Sequence, residues 1–316
     1  MNALIVGGAG FIGSHLCDAL LERGDNVIAL DNMLRGKIEN ISHLNGNKHF
    51  TFVNGDANDI SFVSILIAKH KVDYIYHLAA NSDIQASAKN PQIEFDCTAS
   101  TTWNLLCAMR NSRVKKIFFA STSAIYGEHK GDMKEHSTEL NPISYYGGAK
   151  MASEAFIHSF SFMNGFDALI FRFPNVIGPR LTHGVIFDFI NRLLTNPLEL
   201  DVLGNGTQSK PYIFVSDLID AILLLDKKNK GFNAFNIGLD SCTSVKKIAE
   251  YVIDIMNLKH CIIKYGESSI GWKGDVPHFQ YNLQKIHSLG WKAKYSSDEA
   301  VVATIHSYLN QIKYKN

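Results

Sequence analysis

The sequence predicts an α/β protein built on a doubly wound parallel sheet, with a smaller C-terminal lobe interleaved with it. Three observations carry this. Short runs that are apolar at nearly every position alternate with amphipathic stretches through the first half. This is the pattern of strands buried on both faces and joined by right-handed helical crossovers. A glycine-rich turn separates the first such run from the first helical stretch. Beyond about residue 173 the alternation breaks, and Pro174 and Pro179 punctuate an irregular segment.

Taken in order, "ALIVG" (3–7), "NVIAL" (26–30), "FTFVN" (50–54), "VDYIYHL" (72–78), "KKIFFAS" (115–121) and "ALIFRF" (168–173) read as strands. Helical patterns lie between several of them, including 11–24 and 60–70. In the second half a helix is expected over 185–195, a turn over 204–208, a strand over 211–215 and a helix over 216–227. Short helices and loops are expected over 241–316. The expected division is residues 1–172, with 211–240 returning to that sheet, and a second lobe from 173–210 and 241–316.

The chain has 316 residues, enough for one large α/β unit, a second lobe and a substantial core. A net charge of +1 without basic or acidic blocks gives no footprint for nucleic acid or a membrane surface, so a small-molecule partner is expected. Five scattered cysteines with no CxxC pair read as reduced thiols of a cytoplasmic protein. No apolar run approaches the roughly 20 residues of a spanning helix. The N-terminus runs straight into the glycine turn, unlike a secretory signal. The 13 histidines show no metal-ligand spacing, and no metal is expected.

The turn "LIVGGAGFIGSHL" places Gly7, Gly10 and Gly13 after a strand and before a helix. In that context the first glycine permits the tight turn, the second lets a pyrophosphate approach the backbone, and the third allows close helix–strand packing. The helix N-terminus then faces the anion. Asp31 ends the second strand at the spacing where a carboxylate accepts both adenosine ribose hydroxyls. It would repel a 2′-phosphate, which favours NAD over NADP. Asp56 follows the third strand, where a carboxylate can hold an adenine amino group or simply cap a turn.

Tyr146 and Lys150 stand four residues apart in "SYYGGAK", on one helix face, whereas Tyr145 points some 140° away. Spacing therefore selects Tyr146. A nearby ammonium favours phenolate and should lower the tyrosine pKa from near 10. Alone, such a pair reads as an ordinary surface contact.

The surrounding segments change that reading. "GGAGFIGSHL", Asp31, "HLAA" (77–80), "STSAIYG" (121–127), "YGGAK" (146–150) and "RFPNVIGPR" (172–180) occur in one order and spacing. Together they resemble the extended short-chain dehydrogenase/reductase family, in its nucleotide-sugar epimerase and dehydratase branch. The resemblance runs nearly end to end, to "GWKGDV" (271–276) and "SLGWKAKYS" (288–296). It implies a Rossmann-type fold and NAD as cofactor. It also implies Tyr146 as general base and Lys150 as the group that holds the nicotinamide ribose and depresses the tyrosine pKa. Thr122 becomes the hydroxyl that shares a hydrogen bond with the sugar oxygen. Further cofactor contacts are implied for Phe11, Ile12, Asn32, Ala57, Leu78, Ala79 and Ala80.

Within this branch the residues after the catalytic threonine discriminate. Dehydratases carry Asp-Glu there; this chain has Ser123 and Ala124. Elimination then lacks its usual acid and base, which favours a 4-epimerase, with a 4-keto-sugar reductase or 4,6-dehydratase as the alternative. A non-catalytic NAD-binding role is the third reading, disfavoured by the intact Thr122, Tyr146 and Lys150. The resemblance places Ser123, Asn175, Lys210 and Lys273 on the nucleotide-sugar substrate. The chain departs from the family's pattern at three places: Lys210 for a diphosphate-gripping arginine, Trp272 beside Lys273 for another, and Thr98 for an asparagine. Lysine keeps the charge but loses the bidentate fork. Helices over 91–111 and 144–163 are where this family forms a dimer, so a homodimer is expected.

Overall fold

The computed structural model describes residues 1–81, 84–128, 131–227, 230–271, 274 and 276–313. Its central sheet has seven strands: β1 (Asn2–Val6), β2 (Asn26–Asp31), β3 (Phe50–Asn54), β4 (Tyr74–His77), β5 (Lys116–Thr122), β6 (Asp167–Phe173) and β7 (Phe232–Asn236). Their spatial order is β7-β6-β5-β4-β1-β2-β3. The pairings β1–β2, β2–β3, β1–β4 and β4–β5 are all parallel. The order reverses between β1 and β4, so the sheet is doubly wound and ligands belong at the strand ends there.

Both sheet faces are covered, as the unbroken apolar runs require. On one face Leu4, Val6, Ile28, Leu30, Ile75, Ile117, Phe119 and Ile170 pack with helices α2 (Ile60–Lys69), α3 (Thr101–Arg110) and α4 (Tyr145–Asn164). The alternate residues, Ile5, Ala29, Tyr76, Phe118 and Phe171, are buried on the other face, where α1 (Phe11–Glu22) packs on β1 and β2. Tyr76 stacks on Phe118 with ring centroids 4.2 Å apart. Burying each such side chain contributes roughly 1.5–3 kcal/mol.

Capping fixes where the helices begin. Asp59 accepts from Phe62 N at the start of α2, and Ser144 accepts from Gly147 N at the start of α4. The α4 helix ends at Gly165, whose φ of +68° suits a residue without Cβ. Between Gln92–Glu94 and α3, residues Phe95–Ser100 form a π-helical turn.

The chain divides into two compact units. The first comprises Met1–Gly127, Leu140–Arg172 and Ile222–Phe235; the second comprises Glu128–Glu139, Phe173–Ala221 and Asn236–Asn316. Of the stretch 211–240, the first unit takes Ile222–Phe235, and the strand Tyr212–Phe214 instead pairs with Asn175–Ile177 in the second. The second unit also holds helices Val185–Thr195, Val245–Ile255 and Ser297–Lys313. The last is longer than the short helices expected there. A capping box starts it: Glu299 N donates to Ser296 Oγ, and Ser296 N donates to Glu299 Oε2. No helix among the described residues is long and apolar enough to cross a membrane.

Candidate active site

The glycine turn lies where β1 and β4 run side by side. Leu78 N and Ala79 N both donate to Val6 O at 2.9 Å. Gly7 has φ +88°, and a Cβ there would sit 2.8 Å from Ala79 N. A Cβ on Gly13 would overlap the Gly7 carbonyl, so close packing of α1 demands glycine. Gly8 escaped the sequence reading, yet a Cβ on it would meet Ala29 Cβ at 2.6 Å. The N-cap of α1, Gly10, offers no side-chain acceptor. The N–H groups of Phe11, Ile12 and Gly13 therefore have no capping side chain and suit an anion. Ala80 follows Ala79 at the end of β4 and is half-buried.

Asp31 is buried at the end of β2, and burial pushes its carboxyl above the usual range. Its oxygens accept from Ala9 N at 3.0 Å and Met33 N at 2.9 Å. Gly10 N is a third backbone donor to it, so of the carboxylate's roughly four acceptor positions about one remains. Asn32 is exposed, and its Oδ1 accepts from Leu34 N. Asp56 is exposed and caps a turn through Asn58 N at 2.9 Å, with Ala57 buried beside it.

Thr122, Tyr146 and Lys150 come together in the first unit. Thr122 ends β5, and its Oγ1 accepts from Ala124 N at 3.1 Å. The Tyr146 hydroxyl hydrogen-bonds the Thr122 side chain. Ser123 opens a 3₁₀ turn over Ser123–Tyr126. Lys150 is 2% exposed, and its Nζ donates to Ala120 O at 2.6 Å while lying 4.7 Å from the Phe119 ring centroid. An ammonium has three donors. One is taken, which leaves two for the adjacent hydroxyls of a ribose. Of the two adjacent tyrosines, Tyr146 is the one beside Thr122 and Lys150, and Tyr145 is 56% exposed.

The electrostatics differ from expectation. Tyr146 is pushed up to about 12, first by burial and then by the Glu94 charge, and its hydrogen bond to Thr122 offsets only part of this. Burial pulls Lys150 down to about 8, with Glu94 and Glu154 holding it partly up. The Lys150 ammonium is turned to the Ala120 carbonyl and stands 5.9 Å from the Tyr146 ring centroid. It does not overcome desolvation of the phenolate.

Two buried carboxylates escaped the sequence reading. Glu154 continues the Tyr146–Lys150 row by one more turn, so helical spacing could have found it. It forms a buried fork with Arg172: Nε reaches Oε1 at 3.1 Å and Nη2 reaches Oε2 at 2.6 Å. Arg172 Nη1 also donates to Tyr126 OH at 2.9 Å, and Ser121 Oγ donates to Glu154. Glu94 has no comparable signal in the sequence. It is 1% exposed and accepts from Asn81 Nδ2 at 2.8 Å. His77, fully buried, has Nε2 2.9 Å from Thr102 Oγ1 and is pushed down to about 3 by burial and Lys150.

The paired glycines of "YGGAK" differ sharply. A Cβ on Gly147 would lie 2.6 Å from Ala124 O and 3.0 Å from Pro142 Cβ, whereas one on Gly148 meets nothing within 4 Å. Gly147→Ala is expected to destabilise by about 1–3 kcal/mol through overpacking. Gly148→Ala is expected to gain up to about 1 kcal/mol in helix propensity. Thermal unfolding of the two variants reads the difference, and equal melting temperatures would contradict it.

In the second unit, Asn175 is exposed and is the register partner of Tyr212. Lys210, two residues earlier, pairs in a short ladder with Thr243. Lys273 and Trp272 lie outside the described residues. Among the described residues, no group of three or more His, Cys, Asp or Glu side chains could hold a metal.

A doubly wound sheet with a glycine turn at its switch point and a tyrosine–lysine pair beside it defines a dinucleotide-dependent enzyme class. The model of the NAD dependent epimerase/dehydratase family matches residues 3–238. The chain belongs to that family, and NAD is its cofactor. It is 33% identical to a putative UDP-glucose 4-epimerase of Methanocaldococcus jannaschii, over 96% of this chain and 97% of that protein. It is 29% identical to human dTDP-D-glucose 4,6-dehydratase, over 97% of this chain and 89% of that protein. The crystal structure of Thermotoga maritima UDP-glucose 4-epimerase with UDP-glucose superposes with a TM-score of 0.88 at 32% identity, covering 99% of this chain and 100% of that one.

Proposed function

We propose that the protein is a nucleotide-sugar 4-epimerase that oxidises its substrate transiently at C4. The observation that carries this is the pairing of an assembled Thr122–Tyr146–Lys150 site with Ser123 and Ala124 where a dehydratase needs two carboxylates. Bound NAD supplies the acceptor, and later the donor, of the C4 hydride. Tyr146 takes the O4 proton as the C4–H bond breaks and C4=O forms, and returns it when hydride reaches the other face. Thr122 shares its hydroxyl with the sugar oxygen. Lys150 holds the nicotinamide ribose through its two remaining donors. Asn175, Lys210 and Lys273 supply polar and positive contacts to the nucleotide diphosphate.

A homodimer through α3 and α4 accompanies this reading. Trp103 of α3 makes edge-on contacts with Phe156 and Phe160 of α4, at 5.2 and 5.3 Å, yet is 45% exposed. A monomer by light scattering at micromolar concentration would sink that part.

The test incubates the purified protein with a panel of nucleotide sugars and follows the products by NMR. The expected result is a C4 epimer without added cofactor. A need for stoichiometric NAD(P)H would make the enzyme a reductase, and a 4-keto-6-deoxy product would make it a dehydratase.

A further inference from the structure

Asp31 is held by more than its own strand. Ala9 N donates to its Oδ2 at 3.0 Å and Met33 N to its Oδ1 at 2.9 Å. Met33 makes its bond from a φ of +61°, a region that residues with side chains rarely occupy. Strain of this kind persists only where the surroundings impose it. The loop that follows is tied back to the same turn. Lys37 N at 3.0 Å and Asn40 Nδ2 at 2.9 Å both donate to Ala9 O, and Asn40 is buried. Ala9 thus joins the two parts: its N–H holds the carboxylate and its carbonyl holds the loop.

Gly36 lies inside this tie. It is not left-handed, so its backbone conformation does not itself require glycine. Yet a Cβ there would lie 2.6 Å from Asp31 Oδ1, 2.7 Å from Cγ and 2.8 Å from Oδ2. These are the three nearest atoms it would meet, and all belong to the one carboxyl group. Contacts that short force either the carboxylate or the loop to move. The carboxylate is pinned by backbone donors and the loop by the Ala9 carbonyl. Room is made only by breaking one set of these bonds.

We propose that Gly36 is a specificity-determining residue for the dinucleotide: its bare backbone seats the loop against the Asp31 carboxylate and fixes that carboxylate where NAD is accepted and NADP rejected. This rests on the reading of Asp31 as the acceptor for the adenosine ribose. The backbone donors leave about one acceptor position on the carboxylate, so its orientation decides whether a ribose hydroxyl can donate to it. A fixed anion at that point also repels the 2′-phosphate that distinguishes NADP. Displacing it costs NAD a charge-assisted hydrogen bond and relieves NADP of the repulsion. Both changes move the preference the same way.

Equilibrating the purified holoenzyme with mixtures of NAD and NADP, followed by chromatography of the bound nucleotide, reads the ratio of the two affinities. Gly36→Ala is expected to lower the preference for NAD by roughly tenfold or more, the equivalent of one hydrogen bond to a charged group. In the Asp31→Ala protein the same Gly36→Ala change should leave the ratio as it was, because the atoms a Cβ would strike are gone. An unaltered preference in Gly36→Ala, or an equal fall with and without Asp31, overturns the proposal. If Gly36→Ala does not fold, Asn40→Ala loosens the loop at its other anchor on Ala9 O. It should lower the preference in the same direction, and an unaltered ratio there overturns the proposal. Failure of the underlying reading appears separately: Asp31→Ala would then keep the preference of the unmodified protein.

Discussion

Tyr146→Phe is expected to lose turnover on nucleotide sugars by a factor on the order of 10²–10⁴, the usual contribution of a positioned acid–base group. The fold should survive, because the ring stays in place and only the hydroxyl that bonds Thr122 is deleted. Product NMR reads the loss. Circular dichroism and cofactor content show that the protein is otherwise unchanged. Tyr145→Phe is the matched control: its side chain is exposed, and its removal should leave turnover within about twofold. Undiminished turnover in Tyr146→Phe would refute its assignment as the base.

The second large effect is on stability. Arg172→Met leaves Glu154 buried without its ion-pair partner, and breaking such a pair typically costs about 3–5 kcal/mol. The Glu154→Leu/Arg172→Met double variant should recover most of that loss, because no isolated charge remains. Urea unfolding of the two singles and the double measures the coupling. A double variant no more stable than Arg172→Met would show that the ion pair is not what the single change disrupts.

The strands were legible because their residues are apolar at consecutive positions, which two-sided burial imposes. The glycine turn was legible because its steric demands are local. Gly7 and Gly13 are forced by backbone atoms of their own turn and of the adjoining strand end. Helical spacing put Tyr146 and Lys150 on one face, but only the surrounding segments singled that pair out. Arg172 was read with the loop around Asn175, yet it stands in "ALIFRF", where a charge inside an apolar strand must find a buried partner. The Ser296–Glu299 capping box was present in the sequence and would have predicted the long final helix. Glu94 could not be read. It stands in a three-residue helix directly before a π-helical turn over Phe95–Ser100, which departs from the 3.6-residue period on which helical-face arguments depend. The depression of the Tyr146 pKa failed for a related reason: spacing shows who is adjacent but not how much water has been removed.

The position of β1 between β2 and β4 has a consequence for how the protein forms. β2 follows β1 after about 20 residues, but β4 must close a loop of roughly 70 before Ala79 can seat against Gly7. Pairings of such separation pay their chain entropy before any contact repays it. Half-assembled chains would thus hold the glycine turn without the strand end against which Gly7 packs. Binding of NAD would be acquired late, and its appearance during refolding would mark completion of the sheet rather than collapse of the chain.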